Sequence, residues 1–451
     1  MQKKSLILLL YMLTSVFYLL SQETGQLGGA VYDERMNFLS DVTVALQGID
    51  IITTTNRFGG YTFSDIPTGI YTVIFSKIGF NCHTEENVHI NPNETRGLSI
   101  RLYSTSWVEA IAKYSYTGAQ VDTSNVSGVY VAGYISMPGF FNFRAVLWKD
   151  GIPLILSDNN SEANSVFVYE NNIYVVGSIN SEATLWVNGE AQTILVNPSS
   201  TQAVFVSDND VYVLSREFDR PRIYMGRQRH IPPHAILLKN GVIQPFLDDK
   251  QQYARNSVFV YENDVYIVGR SGGNILSIRN PNRSPESNIS CSCTPIRHWR
   301  ATLWENGVAS TLSNRTSEAL SVFVYDNDVY VAGGEEYEDI FRATVWINGI
   351  TQHLSEKPSH ANAVYVSDRD VFILGFEVTD RINDERRTVI WKNGLLHHII
   401  DKIPNARSIF VKGNDVYVVG FDSQGSLLWV NGETQYLSNI RSFANSIFVA
   451  E

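Results

Sequence analysis

Along the last three quarters of the chain, hydrophobic and polar residues alternate with a period of two, and the alternation itself recurs. The repeat is clearest at 163–189, ANSVFVYENNIYVVGSINSEATLWVNG. Two short alternating runs meet at a polar turn, a loop follows, and a third run ends in Trp before Asn-Gly and a fourth run. Period-2 alternation of β-branched and aromatic residues predicts strands, and Asn-Gly between such runs predicts a tight hairpin. Each unit is therefore expected to be a four-stranded antiparallel sheet of about forty residues, the size of one propeller blade.

Seven copies are expected. The third-strand end and its turn recur from Leu147–Trp148 with Asp150–Gly151, through Leu185–Trp186 with Asn188–Gly189, to Leu428–Trp429 with Asn431–Gly432. Leu237–Leu238 stands in for the Trp once. The first copy has only the polar Gln120–Asn125 where its first strand should be, while the chain stops after 444–449, a first strand with no second. Pairing that orphan with the first copy would satisfy two otherwise bare sheet edges. The expected fold is all-β: a small β-sandwich at 25–102, a connection at 103–125 carrying Trp107, and a seven-bladed β-propeller at 126–451 closed by the C-terminal strand. Phe167, Phe205, Phe259, Phe323, Tyr365, Phe410 and Phe448 share one first-strand position and, with the Trp set, are expected to fill the spaces between sheets.

Residues 1–21 begin with Lys3–Lys4 and continue through an apolar stretch from Leu6 to Leu20. This is the outline of a secretory signal peptide, and roughly fifteen apolar residues are short for a membrane span. Cleavage is expected near Ser21, with no transmembrane segment left afterwards. The expected location is exported: periplasmic, outer-surface associated or secreted. A net charge of −11 argues against a nucleic-acid partner, because affinity for phosphates comes from Lys and Arg. Cys82, Cys291 and Cys293 are an odd number and too few for a disulfide framework.

In the N-terminal region Val42–Leu46, Thr62–Ser64 and Tyr71–Phe75 are predicted strands, with turns at Gly59–Gly60 and Pro67–Thr68–Gly69. Gly29, Val31, Asp33, Leu39, Asp41–Val42, Thr55, Gly59, Tyr61, Phe63, Ile66–Pro67, Gly69, Tyr71, Val73 and Gly79–Phe80 together resemble the carboxypeptidase regulatory-like domain of exported Bacteroidetes proteins. That resemblance implies a transthyretin-like sandwich with no active site, used for docking. The later repeats resemble Bacteroidetes propeller repeats of the form Asn-Asp-Val-Tyr-Val-Ala-Gly followed by Ala-Thr-Leu-Trp-x-Asn-Gly, which implies a fold and no activity.

Length variation falls in the loops between second and third strands, and long loops on a rigid frame are where binding residues usually sit. The third copy carries an Arg-rich insert from Arg216 to His234. Within it, Arg222 and Arg229 are candidates for a carboxylate or sulfate of an acidic glycan. The alternative is pairing with the acidic inserts around Glu335–Asp339 and Glu377–Glu385, or with a partner protein. A second candidate site is the channel mouth, where the residues before the first strands, Asn164, Gln202, Asn256, Leu320, Asn362, Arg407 and Asn445, would converge. These either bind a sugar or peptide or hold water and cap strand ends.

Catalytic chemistry is poorly served. Glycoside hydrolysis normally uses two carboxylates flanking a cleft, and Glu335, Glu336, Glu338 and Asp339 read as a solvated loop. Cys291, Cys293 and His298 could donate metal ligands, with His230 or His234 completing a set. The Asp-bearing tight turns offer too few oxygens for calcium. No nucleophile elbow, phosphate loop or dinucleotide loop occurs in context, and no cofactor is expected. The expected function is noncatalytic recognition of a glycan, peptide or cell-envelope protein, with a polysaccharide hydrolase or lyase as the alternative.

Overall fold

The computed structural model describes residues 23–49, 51–104, 121, 123–137, 142–217, 222–224, 227–229, 234–245, 252–272, 299–380, 385–438 and 440–451. The expected leader, most of the 103–125 connection with Trp107, and Cys291, Cys293, His230 and His298 lie outside them. Among the described residues the chain is all-β with no helix. It divides into two compact units, one holding the strands up to Arg101 and the other the strands from Gly128 onward.

The N-terminal unit has two sheets. In one, Thr24–Tyr32 lies between Gly60–Pro67 and the short Thr95–Gly97 and Ile100–Arg101 strands; the other runs Ile51–Thr54, Thr43–Gln47, Gly69–Ser76, His83–Ile90. Strand alternation sends Leu27, Val31, Val44, Leu46, Phe63, Val73 and Phe75 into one shared core. On Gly60–Pro67, Tyr61 and Phe63 are buried while Thr62 and Ser64 are exposed. A register shift opposite Gly25–Leu27 then returns Ile66 to the core. Two tyrosines fasten the ends: the Tyr61 hydroxyl donates to Leu98 O (2.7 Å) and the Tyr71 hydroxyl to Pro67 O (2.8 Å). Burial raises the Tyr61 phenol above its ordinary value. Cys82 is a free, exposed thiol.

The second unit is a succession of four-stranded antiparallel sheets of the kind found in β-propellers. Strand Glu190–Ser207 serves as the fourth strand of one sheet and the first strand of the next. The C-terminal strand Ser442–Ala450 pairs antiparallel with Gly128–Ser136, which continues to Phe143–Lys149 and Ile152–Ile155. Both faces of each sheet are buried. Trp186 packs against the preceding sheet beside Tyr130, Leu147 and Leu156, while Phe167 and Tyr169 of the same sheet pack against the next one. Trp148, Trp186, Trp304, Trp346 and Trp391 are fully buried. Where Leu238 replaces Trp, it joins Val176, Leu185 and Val213.

One edge of this unit consists of two-residue turns, and their chemistry repeats. The Asn of each Asn-Gly turn has positive φ, as Asn306 does at 49° with Gly307 at 84°. Asn tolerates that region and Gly suits it, which is why the pair marks a hairpin. The Asn side chain is also used at both ends. Asn306 Oδ1 accepts from Val265 N (2.9 Å) while its Nδ2 donates to Asp264 Oδ1 (2.7 Å). The same double bond recurs at Asn240, Asn348, Asn393 and Asn431. In the first copy Asp150 replaces Asn and keeps the bond to Val129 N (2.8 Å). Gly128 then stands where a carboxylate would face another carboxylate. The turn aspartates thus serve as acceptors for neighbouring amides.

Candidate functional site

The functional geometry begins with a defect repeated in every first strand. Register shifts fall between Ala163 and Ser165, Thr201 and Ala203, Ala319 and Ser321, Ala361 and Ala363, Ala406 and Ser408, and Ala444 and Ser446. The extra residue at each is a predicted mouth residue: Asn164, Gln202, Leu320, Asn362, Arg407 or Asn445. A bulge leaves one residue unpaired and re-aims its side chain. In the remaining copy the shift spans Ala254 to Ser257, so Asn256 lies within it; the Asn256 side chain lies outside the described atoms.

Asn164, Gln202, Leu320, Asn362, Arg407 and Asn445 line one cavity of about 310 Å³, together with Ser165, Ser257, Ser321, Ser408 and Ser446. Adjacent strands are tied across it by the bulge amides. Asn164 Nδ2 donates to Thr201 O (2.8 Å), Asn362 Nδ2 to Ala406 O (3.1 Å), and Asn445 Nδ2 to Ala163 O (3.0 Å) and Asn164 Oδ1 (3.3 Å). Gln202 Nε2 turns back to Thr201 O (3.3 Å). Arg407 is at the rim with its guanidinium over the Phe421 ring (5.4 Å). The amides therefore do cap strand ends, and the capping uses their N–H groups.

Deeper along the strands is a layer of hydroxyls. Ser165 Oγ accepts from Val204 N, Ser257 Oγ from Val322 N, Ser321 Oγ from Val364 N, Ser408 Oγ from Ile447 N, and Ser446 Oγ from Val166 N, at 3.0–3.4 Å. Two positions further on, the predicted aromatics contact one another in sequence. Phe167 meets Phe205, then come Phe259, Phe323, Tyr365, Phe410 and Phe448, and Phe448 meets Phe167, with centroids 4.7–5.1 Å apart. Burial pushes the Tyr365 phenol up to about 12.

The cavity rim lies on the edge opposite the tight turns, where the second-to-third-strand inserts emerge. There Tyr134 stacks on Phe443 (4.6 Å), and burial first, then the Glu162 carboxylate, raises its phenol to about 12 against the pull of Arg407 and Arg441. Burial also raises the Glu162 carboxyl above its ordinary value. The candidate arginines of the third copy, Arg222 and Arg229, are direct register partners in the small ladder of Arg222–Tyr224 with Arg227–Arg229.

In the acidic inserts Glu336, Glu338 and Asp339 are exposed as a solvated loop would be, but Glu335 is not. Glu335 and Glu377 are each only 5% exposed, because the hairpins extend past the sheet and carry them as strand residues. Glu335 receives the Ser313 hydroxyl and bonds His353 Nε2 (2.8 Å). The serine hydroxyl meets the carboxylate and not the histidine. Glu377 is bound by Ser355 Oγ (2.7 Å), Lys357 Nζ (3.4 Å) and Arg387. Burial pushes the Glu377 carboxyl up, but Ser355, Arg387 and Lys357 outweigh it and hold the group below its ordinary value. Glu318 bridges Arg270 (3.3 Å) and His360 (3.0 Å), whose imidazole lies between Phe341 and Phe376. Each of these buried acids is thus engaged by its own cation or imidazole. Among the described residues no three His, Cys, Asp or Glu side chains are grouped to hold a metal.

No curated protein matches the sequence. Similar solved structures include TolB from Acinetobacter baumannii, 9% identical over 83% of this chain and 76% of that one, with a TM-score of 0.37. Pyrococcus horikoshii acylaminoacyl peptidase is 12% identical, covering 71% of this chain and 54% of that one, with a TM-score of 0.40. The chain thus spans about half the length of that peptidase. The tricorn protease is 9% identical, covering 90% of this chain and 43% of that one, with a TM-score of 0.39. Residues 26–103 match the family model of the carboxypeptidase regulatory-like domain, so the N-terminal sheets carry a domain of that family.

Proposed function

We propose that the chain is an exported, noncatalytic recognition or scaffold protein whose second unit is a seven-bladed propeller closed by its last strand. It engages a glycan, peptide or cell-envelope protein at the insert-bearing edge. Closure is supported by the pairing of Ser442–Ala450 with Gly128–Ser136 and by the Phe448 ring, which touches both Phe410 and Phe167. The observation that carries the functional reading is the axial cavity. It is lined by bulge amides and hydroxyls. Its volume is at the small end of ligand pockets, roughly 300–1,000 Å³, and its lining is more polar than the mostly apolar walls such pockets usually have. The leader at 1–21 and a Bacteroidetes-type origin belong to the same proposal, with location in the periplasm, at the outer surface or outside the cell. The regulatory-like domain serves as the docking module.

Glycan and peptide arrays probed with the purified protein test this reading. Saturable binding to one class, lost on substituting bulge residues, is the expected result. Turnover of a polysaccharide panel without any saturable ligand would replace the binder with a hydrolase or lyase.

A further inference from the structure

The hydroxyl layer of the axial cavity presents donors, while the bulge amides, whose N–H groups cap the strands, keep their carbonyl oxygens as acceptors. Each of Ser165, Ser257, Ser321, Ser408 and Ser446 spends an acceptor lone pair on the next strand's N–H. A hydroxyl that accepts in this way retains its proton to donate. Among the described residues none of the five has a protein acceptor for that proton, and all five line the cavity. In the two remaining copies alanine replaces the serine, at Ala203 and Ala363. The N–H groups of Val258 and Ile409 therefore have no hydroxyl at the place where the other five find one, and both residues line the cavity. Arg407 adds a guanidinium at the rim. No Asp or Glu is among the described lining residues.

The described lining, with hydroxyl protons, amide oxygens and one cation and without a carboxylate, complements a ligand that carries negative charge and both accepts and donates hydrogen bonds. Its volume of about 310 Å³ sits at the small end of ligand pockets, roughly 300–1,000 Å³, and suits a single ring better than a chain. The lining offers amides and hydroxyls where a peptide would need apolar slots for its side chains; Leu320 is the one large apolar bulge residue.

We propose that this cavity binds the terminal uronic-acid residue of an acidic glycan. The carboxylate faces Arg407 and the ring oxygens receive the serine hydroxyls. The inference rests on the recognition reading above and narrows it to a substrate class and a place. Arg407 supplies a charge-assisted bond, which is stronger than a neutral one. The serine belt supplies several weaker bonds that would otherwise be made to water.

The molecule supplies its own conservative variants. Arg407→Asn installs the residue that Asn164, Asn256, Asn362 and Asn445 occupy in other copies, and Ser257→Ala with Ser321→Ala copies Ala203 and Ala363. The fold already tolerates both choices. Isothermal titration of the purified protein with glucuronate, glucose and triglycine is the test. The expected result is saturable glucuronate binding, with glucose and triglycine at least tenfold weaker. Arg407→Asn should cost about tenfold for glucuronate and little for glucose, and the double serine variant should cost about fivefold or more. Equal binding of glucose and glucuronate, or triglycine binding as tightly as glucuronate, overturns the assignment. So does glucuronate binding that neither variant changes. If the arrays find a ligand that these variants leave unaffected, the cavity inference fails and the recognition reading stands. If neither arrays nor titration find a ligand, the belt holds water and both fail.

Discussion

Removing residues 442–451 tests the closing strand directly. The deletion takes away the ladder with Gly128–Ser136 and uncovers Ile447 and Val449, which are 5% and 7% exposed, along with Phe448 and its two ring contacts. Burying an Ile, Val or Phe side chain is worth about 1.5–3 kcal/mol, so the three together account for roughly 4.5–9 kcal/mol before backbone bonds are counted. Area-based values are upper bounds, because unfolded chains already bury some surface. Even the lower figure is comparable to the whole stability of many domains, about 5–15 kcal/mol. The truncated protein should therefore lose its cooperative urea transition or melt far below the parent. A synthetic peptide of residues 442–451 should restore the transition by adding a strand to the bare edge. A truncated chain with an unchanged midpoint, and no response to the peptide, would refute closure.

Three further outcomes follow from single contacts. Trp186→Ala should cost about 3–5 kcal/mol in urea unfolding, since the indole is fully buried and donates Nε1 to Leu156 O (3.2 Å). Asn306→Asp keeps the acceptor for Val265 N but sets a second carboxylate against Asp264; a loss of about 1–2 kcal/mol at pH 7, relieved as pH falls below about 4, is expected from thermal melts. Glu377 has a folded pKa below its ordinary 4.5, so its stabilising contribution is complete above that pH and is lost as pH falls through the folded value. Glu377→Gln should accordingly lower stability at pH 7 by about 1–3 kcal/mol and flatten the acid limb of the stability curve; an unchanged acid limb would show that the Ser355, Lys357 and Arg387 contacts contribute nothing.

Local features of the chain were legible in the sequence. Two-residue alternation located the strands and Asn-Gly located the hairpins, whereas the mouth residues, expected just before the first strands, lie inside them as bulges. The turn residues were only half understood. Asn306 and its equivalents suit a left-handed backbone, but the bond from their amide to Asp264 and its equivalents joins residues up to about forty positions apart. The serine layer was not foreseen at all. Ser446 meets Val166 N across 280 positions, and no pattern within one repeat encodes a bond between repeats. Glu335 was misread as solvated because an acidic run resembles a loop, and the burial of Glu377 was not foreseen. Only the extended hairpins, with Ser313, His353, Ser355 and Arg387 converging from neighbouring strands, account for their burial.

The doubly bonded asparagines have a consequence for chemical ageing. Asparagine followed by glycine is the pair in which the next backbone nitrogen most readily attacks the side-chain amide and expels ammonia. Here both ends of that amide are tethered, so the attack needs a molecule whose turn has already come undone. Each event would then leave a new acid beside an existing aspartate, hindering the turn from closing again. Deamidation at these sites would therefore accumulate as a record of how often an individual copy has opened.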